Sequence, residues 1–436
     1  MVDTPEVQEA IQAYYRNDAE REWQRMERHR TEFAVTLRAL EAHLPPTPAR
    51  VLDCGGGPGR YAQALTQRGY TVTLFDLSPD LLALARARAA EAGVTIADFA
   101  QGTATDLSRY PDDTFDAVLL MGPLYHLLEE AERRQALAEA YRVVKPGGPV
   151  FASFISRYAG HRYAARAEME YLLTRPEESE ALLAHGTLPP RPDGGFIAYF
   201  AHPLEVTPLC ASVGLDVETV LGVEGLVSMI EEGVNSLEGE AWDAWVDLNY
   251  RLSADPSLHG AVEHLLAICR KPCWRAALRS IAQTLASAGI DYRVVGGAGL
   301  ALRGLPIPVR DIDLEMTPAD VYRFETLFAD RVVERVAWSE GVEWRSHFGR
   351  FDFDGVTVEV MGGLSRRVGD HWAPSFLMTR ADVAFEGLSV ATSTLEEDAL
   401  SAIRRGRLDR AAVILPHCDP ERLQALLREA LVNEMF

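Results

Sequence analysis

Short apolar runs bounded by glycine, proline or charged residues alternate with longer amphipathic stretches over most of the chain, the pattern of an α/β protein. The first forty-odd residues depart from it. From Val7 to His43 the periodicity is helical, with Trp23, Met26, Phe33 and Leu37 as an apolar stripe, and Pro45, Pro46 and Pro48 end the segment. Arg50 to Asp53 then reads as a strand, Cys54-Gly55-Gly56-Gly57-Pro58-Gly59 as a loop, and the residues up to Arg68 as a helix stopped by Gly69. A second strand, Thr71 to Phe75, ends in Asp76. The character changes near Cys269-Arg270-Lys271-Pro272: beyond it a helix from about Trp274 to Ala288 leads to a strand at Tyr292, a Gly296-Gly297 turn and a second alternating pattern.

Length supports that division, since 436 residues correspond to two or three domains at roughly 150 residues each. With 47% hydrophobic and 25% charged residues the composition is globular, which excludes global disorder and collagen-like or coiled-coil classes. The net charge of −21 is concentrated before residue 275, the rest of the chain carrying no lysine and a net −5. Such a chain repels phosphate backbones, so nucleic acid is a disfavoured partner. Five cysteines, odd in number and without C-x-x-C spacing, indicate neither a disulfide framework nor a zinc knuckle. No basic region followed by an apolar stretch opens the chain, and no apolar run reaches membrane-spanning length, so the expected location is a reducing cytoplasm with no membrane partner.

A glycine loop between a strand and a helix lets backbone approach a ligand closely, because no Cβ intervenes. Asp76, about 20 residues beyond that loop, stands where an acid can hydrogen-bond ribose hydroxyls. The spacing Asp53-x-Gly55-x-Gly57-x-Gly59 is not the dinucleotide pattern G-x-G-x-x-G; it resembles the first motif of class I S-adenosylmethionine-dependent methyltransferases. Other segments follow that family in order over about residues 45–272: Asp76, Gly102 to Leu107, Pro111 to Leu120 as the fourth strand, Val143 to Val150 before the fifth, and His264 to Pro272 as an antiparallel last strand. The resemblance implies that Asp53, Gly55, Gly57, Gly59 and Asp76 bind S-adenosylmethionine. Thr103 stands where the family often has an acid for the adenine amino group, which leaves that contact to Asp106 or to backbone near Ala104.

Methyl transfer from a sulfonium needs positioning and exclusion of water more than covalent help, sometimes with a base. Acceptor residues are therefore expected over the strand ends: Tyr14 and Tyr15 in the cap, Tyr125 and His126 after the fourth strand, Tyr158 and His161 after the fifth. Among these Tyr125 and His126 are taken as catalytic, His126 as a general base. Residues 157–235 are too long for a simple crossover; a helical stretch (Ala164 to Ala184), a Pro/Gly turn (Pro189 to Gly195) and Tyr199 to Pro203 read as a substrate lid.

In the second half, alternation on the strand Asp311-Ile312-Asp313-Leu314 sends both aspartates to one face and the apolar residues to the other. Side-by-side carboxylates repel unless a cation lies between them, and oxygen-only ligands favour magnesium. Glu359, in Val356-Thr357-Val358-Glu359-Val360, adds a third acid from a probable central strand. Gly296-Gly297 with these acids resembles the nucleotidyltransferase superfamily typified by DNA polymerase beta, over about residues 276–410. The resemblance implies phosphate binding by Gly296 and Gly297, metal binding by Asp311, Asp313 and Glu359, and contact of Glu359 with the acceptor hydroxyl. Arg310 and Arg303 are candidates to reach a triphosphate, and Arg407 and Arg410 to add a contact, whereas Arg366 and Arg367 read as a solvated pair.

The expected architecture is a helical cap at 1–44, a Rossmann-like doubly wound seven-stranded sheet at 45–272, and a smaller mixed α/β nucleotidyltransferase-like domain at 276–436. The expected function is a methyltransferase for a small molecule, using S-adenosylmethionine, joined to a nucleotidyltransferase that uses Mg2+ and a nucleoside triphosphate, by preference ATP. Two alternatives stand beside it: an RNA-modifying enzyme, and a chain whose second domain is a non-catalytic nucleotide-binding or regulatory module.

Overall fold

Val51, Leu52, Asp53 and Cys54 are all buried, as a central parallel strand covered on both faces requires. The computed structural model describes residues 5–188, 196–305, 307, 309–374 and 380–435; the turn expected at Pro189 to Gly195 lies outside them. The chain divides into two units, Met1–Pro272 and Cys273–Phe436. No described helix is long and apolar enough to cross a membrane.

The first unit opens with α1 (Pro5–Arg28) and α2 (Arg30–His43) and continues through β1 (Arg50–Cys54), α3 (Arg60–Gln67), β2 (Thr71–Asp76), α4 (Pro79–Glu91), β3 (Asp98–Gln101), β4 (Ala117–Leu120), α5 (Glu130–Val143) and β5 (Pro149–Ser156). Then come α6 (Ala159–Ala167), α7 (Tyr171–Thr174), α8 (Pro176–His185), β6 (Thr187–Leu188), β7 (Ala198–Ala201), α9 (Pro203–Ala211), β8 (Asp216–Gly222), α10 (Glu232–Asn235), α11 (Gly239–Leu252) and β9 (His264–Arg270). The expected seven strands run in the order β3-β2-β1-β4-β5-β9-β8, with β9 antiparallel to both neighbours. Among the described residues the sheet has nine strands, however, because β7 pairs with β5 beyond the end of β4 and β6 pairs with β7. Alternation fills both faces: Leu52, Val118 and Val150 pack with Leu137 of α5, whereas Val51, Leu119 and Phe151 pack with Leu40, Leu65 and Leu82 of α2, α3 and α4. Ser78 starts α4 immediately after β2 by accepting the Leu81 amide at 3.3 Å, with Pro79 in the first turn.

The second unit comprises α12 (Cys273–Ala288), β10 (Tyr292–Val295), α13 (Gly296–Ala301), β11 (Asp311–Met316), α14 (Pro318–Leu327), β12 (Val332–Glu340), β13 (Trp344–Phe353) and β14 (Val356–Val368). It ends with β15 (His371–Pro374), β16 (Ala381–Phe385), β17 (Leu388–Thr392), α15 (Leu395–Arg404), α16 (Leu408–Ile414) and α17 (Pro420–Met435). Its mixed sheet runs β12-β13-β14-β11-β10-β17-β16, with β15 on β14. Ile312, Leu314, Val358 and Val360 enter one core with the Trp274, Leu278, Ile281 and Leu285 stripe of α12. Their strand neighbours Asp311, Asp313 and Glu359 are thereby turned to the opposite face.

Candidate functional site

In the first unit the site forms where β1 and β2 end side by side. Gly55 takes φ +78°, and a Cβ there would lie 2.3 Å from Pro123 Cδ, so only glycine fits this turn against the segment after β4. Asp76 closes the loop: its Oδ2 accepts the Gly57 amide at 2.8 Å and its Oδ1 the Ser78 amide at 2.8 Å. Burial pushes the Asp76 carboxyl up to about 6 despite those amides. Asp53 is 1% exposed, neither of its carboxylate oxygens makes a hydrogen bond of normal geometry, and the Ala62 amide offsets only part of the cost of burial. Burial, reinforced by the charge of Asp76, raises Asp53 to about 7. A buried, poorly satisfied carboxylate is a costly arrangement unless a ligand supplies donors.

Asp53, Gly55, Gly57, Asp76, Tyr125 and His126 all line one cavity, and Tyr15 of α1 and Thr103 and Ala104 after β3 form other parts of its wall. Two expected cofactor residues are not among the lining. Gly59 instead caps α3 in a left-handed conformation, and the Asp106 carboxylate accepts the Ser108 amide at 3.0 Å. Tyr158 faces the ring of His202, and His161 bonds Ser179 Oγ at 2.8 Å; neither reaches the cavity. His126 is held at both nitrogens: Nδ1 donates to the Ile197 carbonyl at 2.8 Å, so Nε2 accepts from the Tyr15 hydroxyl at 2.7 Å. Burial lowers His126 to about 4, which leaves a neutral ring. Desolvation also pushes the Tyr125 phenol well above its ordinary range.

Sequence reading missed part of this wall, namely Arg25, Glu32 and His264. Arg25 binds both oxygens of Glu32 at 2.7 and 3.0 Å, and Arg25 with His264 and His29 outweighs burial to hold Glu32 well below the usual carboxylate range. Burial likewise acts against charge on His264, but Glu32 and Glu224 outweigh it and raise the imidazole above its usual value. No local motif announces these groups, because they come from three separate elements, α1, α2 and β9.

The second unit places its carboxylates by register. β11 pairs parallel to β14 with Asp311 opposite Thr357 and Asp313 opposite Glu359, while β10 brings Val295 against Asp313. Gly296 follows at φ +69°, where a Cβ would lie 2.3 Å from Asp313 Oδ2. Asp313 is raised to about 7 by burial and by the charges of Asp311 and Glu359. Glu359 Oε1 accepts from Arg350 Nε at 3.1 Å and Nη2 at 3.0 Å. These acids, both glycines and Arg310 line one cavity together with Arg404, Arg405, Arg407 and Arg410, from the end of α15, the turn after it and α16. Arg366 lines this cavity too, so it is not a merely solvated residue. Arg303 is not there: its guanidinium bonds Thr392 Oγ1 and pairs with Asp398 at 3.7 Å.

A model described as methyltransferase domain matches residues 51–148, and a model described as aminoglycoside-2''-adenylyltransferase matches residues 277–400. A ubiquinone biosynthesis O-methyltransferase of Xanthomonas axonopodis pv. citri is 31% identical over 189 residues, 43% of this chain and 72% of the relative. The protein of the same name from Paracidovorax citrulli is 33% identical over 190 residues, 44% of this chain and 73% of the relative. A solved Thermotoga maritima protein assigned as a nucleotidyltransferase is 28% identical, covering 36% of this chain and 93% of that one with a TM-score of 0.30.

Proposed function

The chain belongs, through its first unit, to the S-adenosylmethionine-dependent methyltransferase family and carries a nucleotidyltransferase-like second unit, and from that premise we propose a two-centre transferase for small molecules. One centre methylates a hydroxyl; the other transfers a nucleotidyl group to a hydroxyl. The observation that carries the first half is the buried, poorly satisfied carboxylate of Asp53 in a glycine-lined cavity. When bound, S-adenosylmethionine supplies a methyl group already activated as a sulfonium. Asp53, Asp76 and the backbone of Gly55 and Gly57 would hold it. Tyr15, Tyr125 and His126 form the acceptor side, where they exclude water and orient the hydroxyl. With Nε2 engaged by Tyr15, neutral His126 acts first by fixing the direction of that phenol. An acceptor hydroxyl is supported by the O-methyltransferase relatives.

The second half rests on three carboxylates and four arginines that line one cavity. An all-oxygen set whose members raise Asp313 by mutual repulsion suits Mg2+. Asp311, Asp313 and Glu359 would hold the ion, which when bound would supply positive charge to the phosphates and to the acceptor oxygen. Arg404, Arg405, Arg407 and Arg410 supply the positive wall for the triphosphate, for which we propose ATP, and Glu359 lies nearest in register to Asp313 to meet the acceptor. The excess of 64 acids over 43 bases favours a small acceptor over RNA, and the need for S-adenosylmethionine and ATP supports a cytoplasmic location.

The test is incubation with methyl-labelled S-adenosylmethionine and, separately, with ATP and Mg2+, against a panel of phenols and amino sugars. Label transfer lost in Asp53→Ala, and pyrophosphate release lost in Asp313→Asn, are the expected results. Equal turnover by wild type and variant in either assay removes those carboxylates from the mechanism, and filter retention of RNA would move the substrate class to nucleic acid.

A further inference from the structure

Behind the wall of the first unit's glycine-lined cavity, and outside its lining, the chain gathers another set of ligating groups. His29 Nδ1, a carboxylate oxygen of Glu231 and one of Glu263 all lie within 4.8 Å of one another, although 202 residues separate His29 from Glu231. Three distant pieces of chain deliver them: the junction of α1 and α2, the turn into α10, and the residue before β9. His29 Nδ1 and Glu231 Oε1 are 3.1 Å apart. Glu231 is 5% exposed, and its Oε2 is buried with no hydrogen-bond partner. One helical turn on, Asn235 gives Nδ2 to the Arg28 carbonyl and leaves its own Oδ1 buried and unpartnered. Oxygens stranded in this way are destabilising unless something electropositive meets them.

A neighbouring set, Glu32, Glu224 and His264, is also within ligating distance but is already saturated. Arg25 takes both oxygens of Glu32. Glu224 accepts His264 Nδ1 at 2.6 Å and the amides of Glu263 and His264 at 3.1 and 3.0 Å. That second set therefore serves as the outer support of the first, fixing the backbone of Glu263 in place. One imidazole with two carboxylates suits zinc better than magnesium or calcium, and three protein ligands leave a fourth position for water. His29 and Glu263 are only half-buried, which leaves an ion a route in.

We propose that His29, Glu231 and Glu263 bind one divalent zinc-type ion, which ties the start of α2 to the β9 side of the sheet. The full chain carrying Asp313→Asn, which removes one of the three carboxylates proposed to hold Mg2+ in the second unit, is stripped with chelator and titrated calorimetrically with Zn2+ in excess Mg2+. One equivalent should bind, and adding His29→Ala or Glu231→Gln should weaken it on the order of 100-fold, with circular dichroism confirming that each variant is folded. X-ray absorption at the zinc edge, which needs neither ligand substitution, should show one imidazole among oxygen ligands. No binding, binding unchanged in the folded variants, or a shell containing sulfur or only oxygen would overturn the proposal.

Discussion

Replacing Asp313 by asparagine removes a charge that the metal-free second unit accommodates badly. The carboxyl titrates near 3.8 in an unfolded chain and is raised to about 7 in the folded one, first by burial and then by Asp311 and Glu359. About three pH units at 1.36 kcal/mol each give roughly 4 kcal/mol, an upper figure that local relaxation and entering water reduce to about 2–4 kcal/mol. The sign follows from proton counting. Between pH 4 and 7 the folded state holds a proton that the unfolded state has lost, so stability falls as pH rises through that window and the penalty is complete above about 7. The asparagine side chain has nothing to titrate. In EDTA at pH 8 the variant should therefore exceed the wild type in local stability by that amount, and near pH 4 the two should converge. Hydrogen exchange of peptides covering β10, β11 and β14 in increasing urea reads this in the second unit alone. Mg2+ should restore protection to the wild type at pH 8 and leave the variant unmoved. A variant less protected than wild type at pH 8, or a difference independent of pH, would refute the reasoning.

Asp53→Asn should weaken S-adenosylmethionine binding by on the order of 10- to 100-fold, the worth of a hydrogen bond to a charged group; calorimetry giving an unchanged affinity would exclude Asp53 from the contact. Gly296→Ala adds a Cβ 2.3 Å from Asp313 Oδ2 at a positive φ, so it should cost about 1–3 kcal/mol and depress pyrophosphate release with an unchanged methylation rate. Because His126 is lowered to about 4, the methylation rate should show no inflection near pH 6.5 that belongs to this ring; an inflection that disappears in His126→Gln would show that the imidazole ionises in the working range. Arg407→Ala and Arg410→Ala should raise KM for ATP more than they lower kcat, and the reverse split would relocate these arginines to the reacting phosphate.

Local chemistry was sufficient wherever a motif and its neighbours lie on one continuous stretch. The glycine loop after β1, the acid ending β2 and the apolar partners of Asp311 and Asp313 each carry their own conformational reason, so strand ends and wet faces were readable directly. Spacing did less well for Gly59, the last residue of the loop, which caps α3, and for Asp106 after β3, which turned to Ser108, because which groups reach a cavity depends on the elements that pack around it. The two extra strands, β6 and β7, escaped notice for a related reason: they are short, and they exist because the end of β5 beyond β4 offers β7 a partner and β7 in turn pairs with β6.

By itself, then, the sequence determined the alternation of elements, the division near residue 272, the two glycine turns and the identity of the acids beside them. Tertiary structure alone decided that Glu359 faces Asp313 rather than Asp311, since that is a matter of register between two strands far apart in sequence. It alone brought four arginines from α15, α16 and the turn between them into one cavity with those acids, laid Tyr15 on His126, and brought His29 to Glu231 and Glu263. The physical reason is the same in each case. Backbone conformation is governed by neighbours within a few residues and leaves its mark in local composition, whereas a site assembled from remote segments gains its energy only after the core has formed, and the chain carries no local trace of it.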